Sequence, residues 1–153
     1  MAQRLRLAQP GEYLTFPLAG EEYAMETDQV QEIISHQHIT RLPRVPDFVK
    51  GVINLRGMVV PVIDLRQKLG FETQEYNQYT VIIVTNVADK TTGLIVDSVS
   101  DVRELTTAGI QPPPELTRSA ISSYIKGVGK QEGRFLIILD LDRLLNHREL
   151  GPL

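Results

Sequence analysis

Apolar residues in this chain come in short runs cut by glycine, proline and small polar residues, which predicts many short strands and little helix. Glu12 to Leu18 and Glu22 to Glu26 read as two strands around Ala19-Gly20-Glu21, a hairpin signal. Thr27 or Asp28 is placed to cap a short helical turn, and Gln31 to Ser35 is extended. Pro43 and Pro46 make Arg41 to Asp47 a loop. Phe48 to Leu55 and Met58 to Ile63 form a hairpin across Arg56-Gly57, a turn that needs glycine's freedom of φ. Asp64 then suits a helix N-cap with Gln67 as its capping-box partner, and Gly70 ends that helix. Further on, Gln78 to Val87, Thr92 to Val96 and Val99 to Leu105 read as strands, and Pro112-Pro113-Pro114 stiffens a loop through Ser119. Tyr124 to Val128 and Arg134 to Leu139 make a second hairpin across Gly129 to Gly133, and Leu141 to Asn146 is a closing helix. Met1 to Gly11 reads as a flexible lead.

The pattern occurs twice. Gly51, Gly57, Asp64 and Leu69 recur as Gly127, Gly133, Asp140 and Leu145, each 76 positions on. A weaker echo pairs Ala24, Asp28, Val30 and Ile33 with Gly93, Asp97, Val99 and Val102, each 69 positions on. Residues kept in both copies are scaffold: Gly51, Gly57, Gly127 and Gly133 for backbone geometry, Asp64 and Asp140 as N-caps. Residues that differ are candidates for a task that one copy performs. Asn54-Leu55-Arg56 becomes Lys130-Gln131-Glu132, so the hairpin-tip arginine is replaced by an acid. Glu32 maps onto Asp101, and this shared acidity fits a structural or solvated role as well as a contact. The apolar pairs Val30/Val99 and Ile33/Val102 fit either barrel core or two homologous faces lining a groove. Many short strands with glycine and proline punctuation give a mainly β chain of two small barrel lobes, about 12–70 and 78–146.

Composition narrows the function. In 153 residues, 42% are hydrophobic and 23% charged, ordinary for a soluble globular chain. A net charge of −3 disfavours general nucleic-acid binding, and zero cysteines exclude disulfides and thiolate chemistry. No apolar run is long enough for a signal peptide or membrane span, so the expected location is the cytoplasm. His36 and His38 lack carboxylate or cysteine partners at ligand spacing and read as surface histidines at a loop edge. Asp64 and Asp140 look like general bases, but their repetition before a helix makes capping the better reading. Gly127-Val128-Gly129 precedes a strand, not a helix, and fails as a phosphate-binding turn. No catalytic constellation, metal or cofactor is expected.

Several segments together resemble the chemotaxis coupling protein family, CheW. They are Glu21 to Met25, Val30 to Ile33, Pro46 to Gly57, Val59 to Arg66, Gly93 to Val99 and Tyr124 to Gly127. The run Phe48-Val49-Lys50-Gly51-Val52-Ile53-Asn54-Leu55-Arg56-Gly57 is the most specific, and the likeness extends from about Glu12 to about Asn146. The resemblance implies one CheW-like domain over 12–150, made of two packed SH3-like five-stranded β-barrels, with no enzymatic activity. It implies an adaptor at receptor arrays under the inner membrane. Its partners there are the cytoplasmic tips of methyl-accepting chemoreceptors and the regulatory domain of the histidine kinase CheA. It meets the membrane only through receptors. A CheW-like scaffold in a non-motility receptor–kinase pathway is the alternative.

By position, the resemblance carries receptor contact onto Val30, Glu32, Ile33, Arg56, Val99 and Val102, to which Asn54 is added from the copy-specific turn. A helical receptor hairpin in a groove between the barrels suits such anchors. Kinase contact falls on Leu42 and Pro43 in the first loop, and on Glu115 and Leu116, which match a second-barrel loop that closes kinase–coupler rings. Some relatives carry an aromatic residue where this chain has Leu116 and a basic one where it has Gln111.

Overall fold

In the computed structural model, residues 8–72, 75–113 and 123–145 are described. Among these residues, eleven strands run in the order β1 Gly11–Leu18, β2 Glu21–Glu26, β3 Val30–Ser35, β4 Val49–Leu55, β5 Met58–Asp64, β6 Val81–Val87, β7 Lys90–Val96, β8 Asp101–Leu105, β9 Ile110–Gln111, β10 Ile125–Gln131 and β11 Arg134–Leu139. Among the described residues, two one-turn helices, α1 Leu65–Lys68 and α2 Leu141–Leu144, follow β5 and β11. The closing helix thus stops at Leu144, short of the expected Asn146, which lies outside the described residues.

The strands form two curled sheets, ordered β8-β1-β2-β11-β10-β9 and β3-β6-β7-β5-β4. They coincide with two compact units. A middle barrel holds Asp28–Ser98, and a split barrel combines the chain before Asp28 with Val99–Leu144. The expected lobes at 12–70 and 78–146 are therefore corrected: the two copies exchange their leading hairpins. β1-β2 completes the barrel of the second copy, and β6-β7 completes that of the first.

The reason is connection length. β8 and β2 both lie antiparallel to β1, on opposite sides of it, so they run parallel to each other. A strand joined to a parallel neighbour needs a crossover of about a dozen residues. Only Thr27–Gln29 separate β2 from β3, and residues 97–100 separate β7 from β8. Neither link can return to its own hairpin, so each hands the chain to the other barrel.

Both barrels close in the same way. After β3, Thr40 exchanges two backbone hydrogen bonds with Val52 of β4, at 2.9 and 2.8 Å. In the split barrel, β9 pairs Gln111 with Val128 of β10. A Cβ on Gly51 would lie 1.9 Å from the Thr40 carbonyl oxygen, and one on Gly127 would lie 3.0 Å from that of Gln111. The kept glycines admit the closing backbone, at a bulge in each strand.

The two hairpins are also alike. Arg56-Gly57 and Glu132-Gly133 all have positive φ, the two-residue turn that matches strand twist. The second loop is thus tighter than the expected Gly129 to Gly133. Gly129 belongs to β10, where a Cβ would meet Leu105 Cδ1 at 2.8 Å. In the middle barrel Ile53, Leu55, Val60, Val62, Ile82, Val84 and Ile95 form a buried apolar cluster. In the split barrel the corresponding cluster is Tyr13, Ala24, Leu105, Leu136 and Ile138.

Candidate functional site

Asp64 and Asp140 cap helices, as expected. The Asp64 carboxylate accepts the Arg66 N–H at 2.9 Å, and that of Asp140 accepts the Arg143 N–H at 3.2 Å. The Asp64 N–H donates to the Phe48 carbonyl, which removes the expected capping-box bond from Gln67. Gly70 ends α1 with φ +86, its N–H on the Gln67 carbonyl and that of Phe71 on the Arg66 carbonyl, a Schellman closure.

Sequence reasoning missed what surrounds Asp64. Arg66 is buried and donates to both Asp64 oxygens, at 3.3 and 3.2 Å, and to Asp97 at 2.8 Å. The Tyr76 hydroxyl donates to Asp64 at 3.0 Å, and its ring lies 5.4 Å from the guanidinium carbon. Burial, then the Asp64 charge, pushes the Tyr76 hydroxyl well up. Burial works against the Arg66 charge, but the bonds and charges of Asp64 and Asp97 outweigh it and raise its pKa. A carboxylate so engaged is a structural anchor rather than a base. The available signal was Arg66 itself, whose counterpart in the second copy is Asp142.

The receptor-contact candidates divide between the units. Glu32 on β3 and Arg56 at the β4-β5 turn meet in a two-pronged ion pair; Arg56 Nη1 is 3.2 Å from Glu32 Oε1, and Nη2 bonds Oε2. That bond, against a smaller desolvation effect, holds the Glu32 carboxyl below its ordinary value. It also raises Arg56. Asn54 accepts the Gly57 N–H at 2.7 Å, so it holds the turn that presents Arg56. Val30 is half-buried and Ile33 is exposed, on the strand that carries Glu32. Val99 and Val102 belong to the split barrel, half-buried and exposed respectively. No copy of the ion pair exists there, because Asp101 and Glu132 occupy the equivalent positions.

Leu42 is half-buried and Pro43 exposed, in a turn that carries Arg44 at φ +58. Glu115 and Leu116 lie outside the described residues. His36 and His38 stand in the loop after β3, as expected; His38 is exposed, and His36 is half-buried, its ring 4.6 Å from that of Tyr76.

Comparison with known proteins decides the family. The CheW-like domain profile matches residues 12–149. The chain belongs to the CheW family. Chemotaxis protein CheW of Klebsiella aerogenes is 42% identical over 140 residues, which cover 92% of this chain and 84% of that protein. Chemotaxis protein CheW of Bacillus subtilis is 38% identical over 133 residues, covering 87% and 85%. Protein PilI of Pseudomonas aeruginosa is 32% identical over 124 residues, covering 80% and 68%. The crystal structure of the scaffolding protein TtCheW from Thermoanaerobacter tengcongensis superposes with a TM-score of 0.86 at 32% identity, covering 95% of this chain and 99% of that one. This CheW-family chain is thus a member of a chemotaxis scaffold family, and its two curled sheets are the family fold. Among the described residues, no helix is long and apolar enough to cross a membrane.

Proposed function

We propose that this chain is a non-enzymatic adaptor that couples chemoreceptor cytoplasmic tips to the histidine kinase CheA, in the cytoplasm at receptor arrays. The observation that carries this reading is the Glu32–Arg56 pair. It fixes an exposed guanidinium at a hairpin tip in one barrel only, whereas the glycines and caps around it are common to both. A charge that a duplicated scaffold does not need is suited to reading a partner.

Receptor contact is assigned to Val30, Glu32, Ile33, Asn54 and Arg56 in the middle barrel and to Val99 and Val102 in the split barrel. Kinase contact is assigned to Leu42, Pro43, Glu115 and Leu116. The adaptor works by binding free energy: kinase activity follows receptor state when contacts differ between signalling states. A coupling of about 1–3 kcal/mol gives roughly a 5–150-fold effect. The likeness to Protein PilI, a relative not named for chemotaxis, favours as a second reading a CheW-like scaffold in a non-motility receptor–kinase pathway.

Co-sedimentation of the chain with receptor-tip fragments and CheA tests the proposal. Wild type is expected to enter a ternary complex and stimulate kinase phosphorylation. Arg56→Glu faces Glu32 with a like charge at an exposed site. It is expected to lose receptor binding while thermal stability stays nearly unchanged. Normal receptor binding by the variant removes Arg56 from the contact, and wild type that binds neither partner removes the coupling role.

A further inference from the structure

Because the barrels share one plan, each position in one can be set against its counterpart in the other. In the middle barrel, Ile34, Leu55, Val60 and Val84 meet in the apolar core. At the repeat spacings of 69 and 76, their counterparts are Arg103, Gln131, Leu136 and Thr15. The strand registers confirm the correspondence: Leu14 faces Val102 as Ile83 faces Ile33, and Gln131 faces Arg134 as Leu55 faces Met58. Where one barrel is filled with side chains, the other has a cavity of about 270 Å³, lined by these four residues with Glu22, Ser100, Asp101 and Arg134. Replacing three apolar core residues by Thr, Arg and Gln forfeits burial that a purely structural barrel end would keep.

The polar groups of the wall are only partly used. Ser100 Oγ donates to Glu22 at 3.0 Å, and Arg103 Nη1 donates to Gln131 Oε1 at 3.0 Å. Thr15 Oγ1 donates to the Asp101 carbonyl at 3.2 Å. Arg103 Nη2 stands 3.8 Å from the Asp101 carboxylate, too far for a hydrogen bond, and Asp101 Oδ1 accepts the Val102 N–H at 2.8 Å, which leaves Oδ2 for another donor. The Arg134 guanidinium has no hydrogen-bond or ion-pair partner among the described residues. Two guanidiniums and two carboxylates therefore border one small space, with donors and acceptors to spare on both signs. A simple anion would satisfy one pair and leave the other; a ligand carrying both charges satisfies both.

We propose that this cavity binds a small zwitterion of the α-amino acid class, its carboxylate on Arg134 and Arg103 and its ammonium on Glu22 and Asp101. The volume is just below the usual range for drug-sized ligands, which limits the occupant to a small metabolite. The site lies within the split barrel and uses none of the residues assigned to receptor or kinase, so it stands or falls apart from the coupling role.

Calorimetry and amide NMR on the full chain test this, with the free L-amino acids as probes and acetate and methylammonium as single-charge controls. At least one amino acid is expected to bind saturably and to shift the signals of Ser100, Arg103 and the Gln131 side-chain amide. Each single-charge probe is expected to bind roughly tenfold or more weakly, as is the amino acid to Arg134→Ala, a change at an exposed position. The combined variant Thr15→Val, Arg103→Ile, Gln131→Leu installs the middle-barrel residues and is expected to abolish binding with a melting temperature at or above wild type. The proposal is overturned if no amino acid moves those signals, if acetate alone binds as tightly, or if both variants bind like wild type.

Discussion

Arg66 concentrates the electrostatics of the middle barrel in one buried side chain. It joins the cap of α1 to Asp97, the residue after β7, and lies against Tyr76 in the approach to β6. Removing one member of such a set leaves a buried charge uncompensated, and Asp64 is wholly buried. Arg66→Met is expected to cost about 3–5 kcal/mol, read as a lower midpoint in urea at unchanged slope. Arg143, beside the corresponding cap, is half exposed and 3.8 Å from Asp140. Arg143→Met is expected to cost less than about 1 kcal/mol. The caps were legible in the sequence because capping is local and occurs twice. The Arg66 set was not, because its partners stand 10 and 31 positions away and no periodicity links them. Arg56 stood out for a different reason, that its counterpart reverses the charge. Its partner Glu32 could be told from a solvated acid only by the ion pair.

Among the elements, strand positions were legible because each run is bounded by turn chemistry. The barrel closures were not, because they rest on a single residue pair at Thr40–Val52 and on the two-residue strand β9. The recurrence of Gly51 and Gly127 marked a backbone requirement without saying which segment approached. The two glycines are now distinguishable. A methyl at 51 overlaps a carbonyl oxygen and also needs φ +138, whereas at 127 the nearest atoms, Ala8 Cβ and the Gln111 carbonyl oxygen, stand at 3.0 Å, tight enough that they must give slightly but without overlap. Gly51→Ala is expected to destabilise by more than about 3 kcal/mol or to prevent folding. Gly127→Ala is expected to remain folded with a smaller loss. Thermal melts of both check the order, and equal losses would mean that closure does not depend on the close approach at Thr40.

For the whole molecule, the duplication was legible and the exchange was not. Both leading hairpins carry the same strand pattern, so either fits either barrel by hydrophobic matching. Only the brevity of the links, at Thr27–Gln29 and at 97–100, excludes the sequential arrangement. Each half of the sequence is consequently incomplete. Residues 1–76 contain β1-β2 without β8 and β11, and β3-β5 without β6 and β7. Expressed separately, residues 1–76 and 77–153 are each expected to lack cooperative melting, and mixed they are expected to recover a folded complex by circular dichroism. Independent folding of either half would contradict the exchanged pairing.

Synthesis on the ribosome gives that exchange a direction in time. The middle barrel has all its strands once β7 ends at Val96, whereas the split barrel waits for β11 to end at Leu139. At roughly 5–20 residues per second, that stretch of roughly 40 residues takes about 2–8 s to make. For those seconds a closed barrel trails an orphan hairpin with both edges open. Such edges recruit the nearest strand of compatible pattern, and another nascent chain of the same protein offers one. Crowded polysomes making this chain are therefore expected to favour interlocked dimers, joined through β1-β2, over dimers joined through any other element.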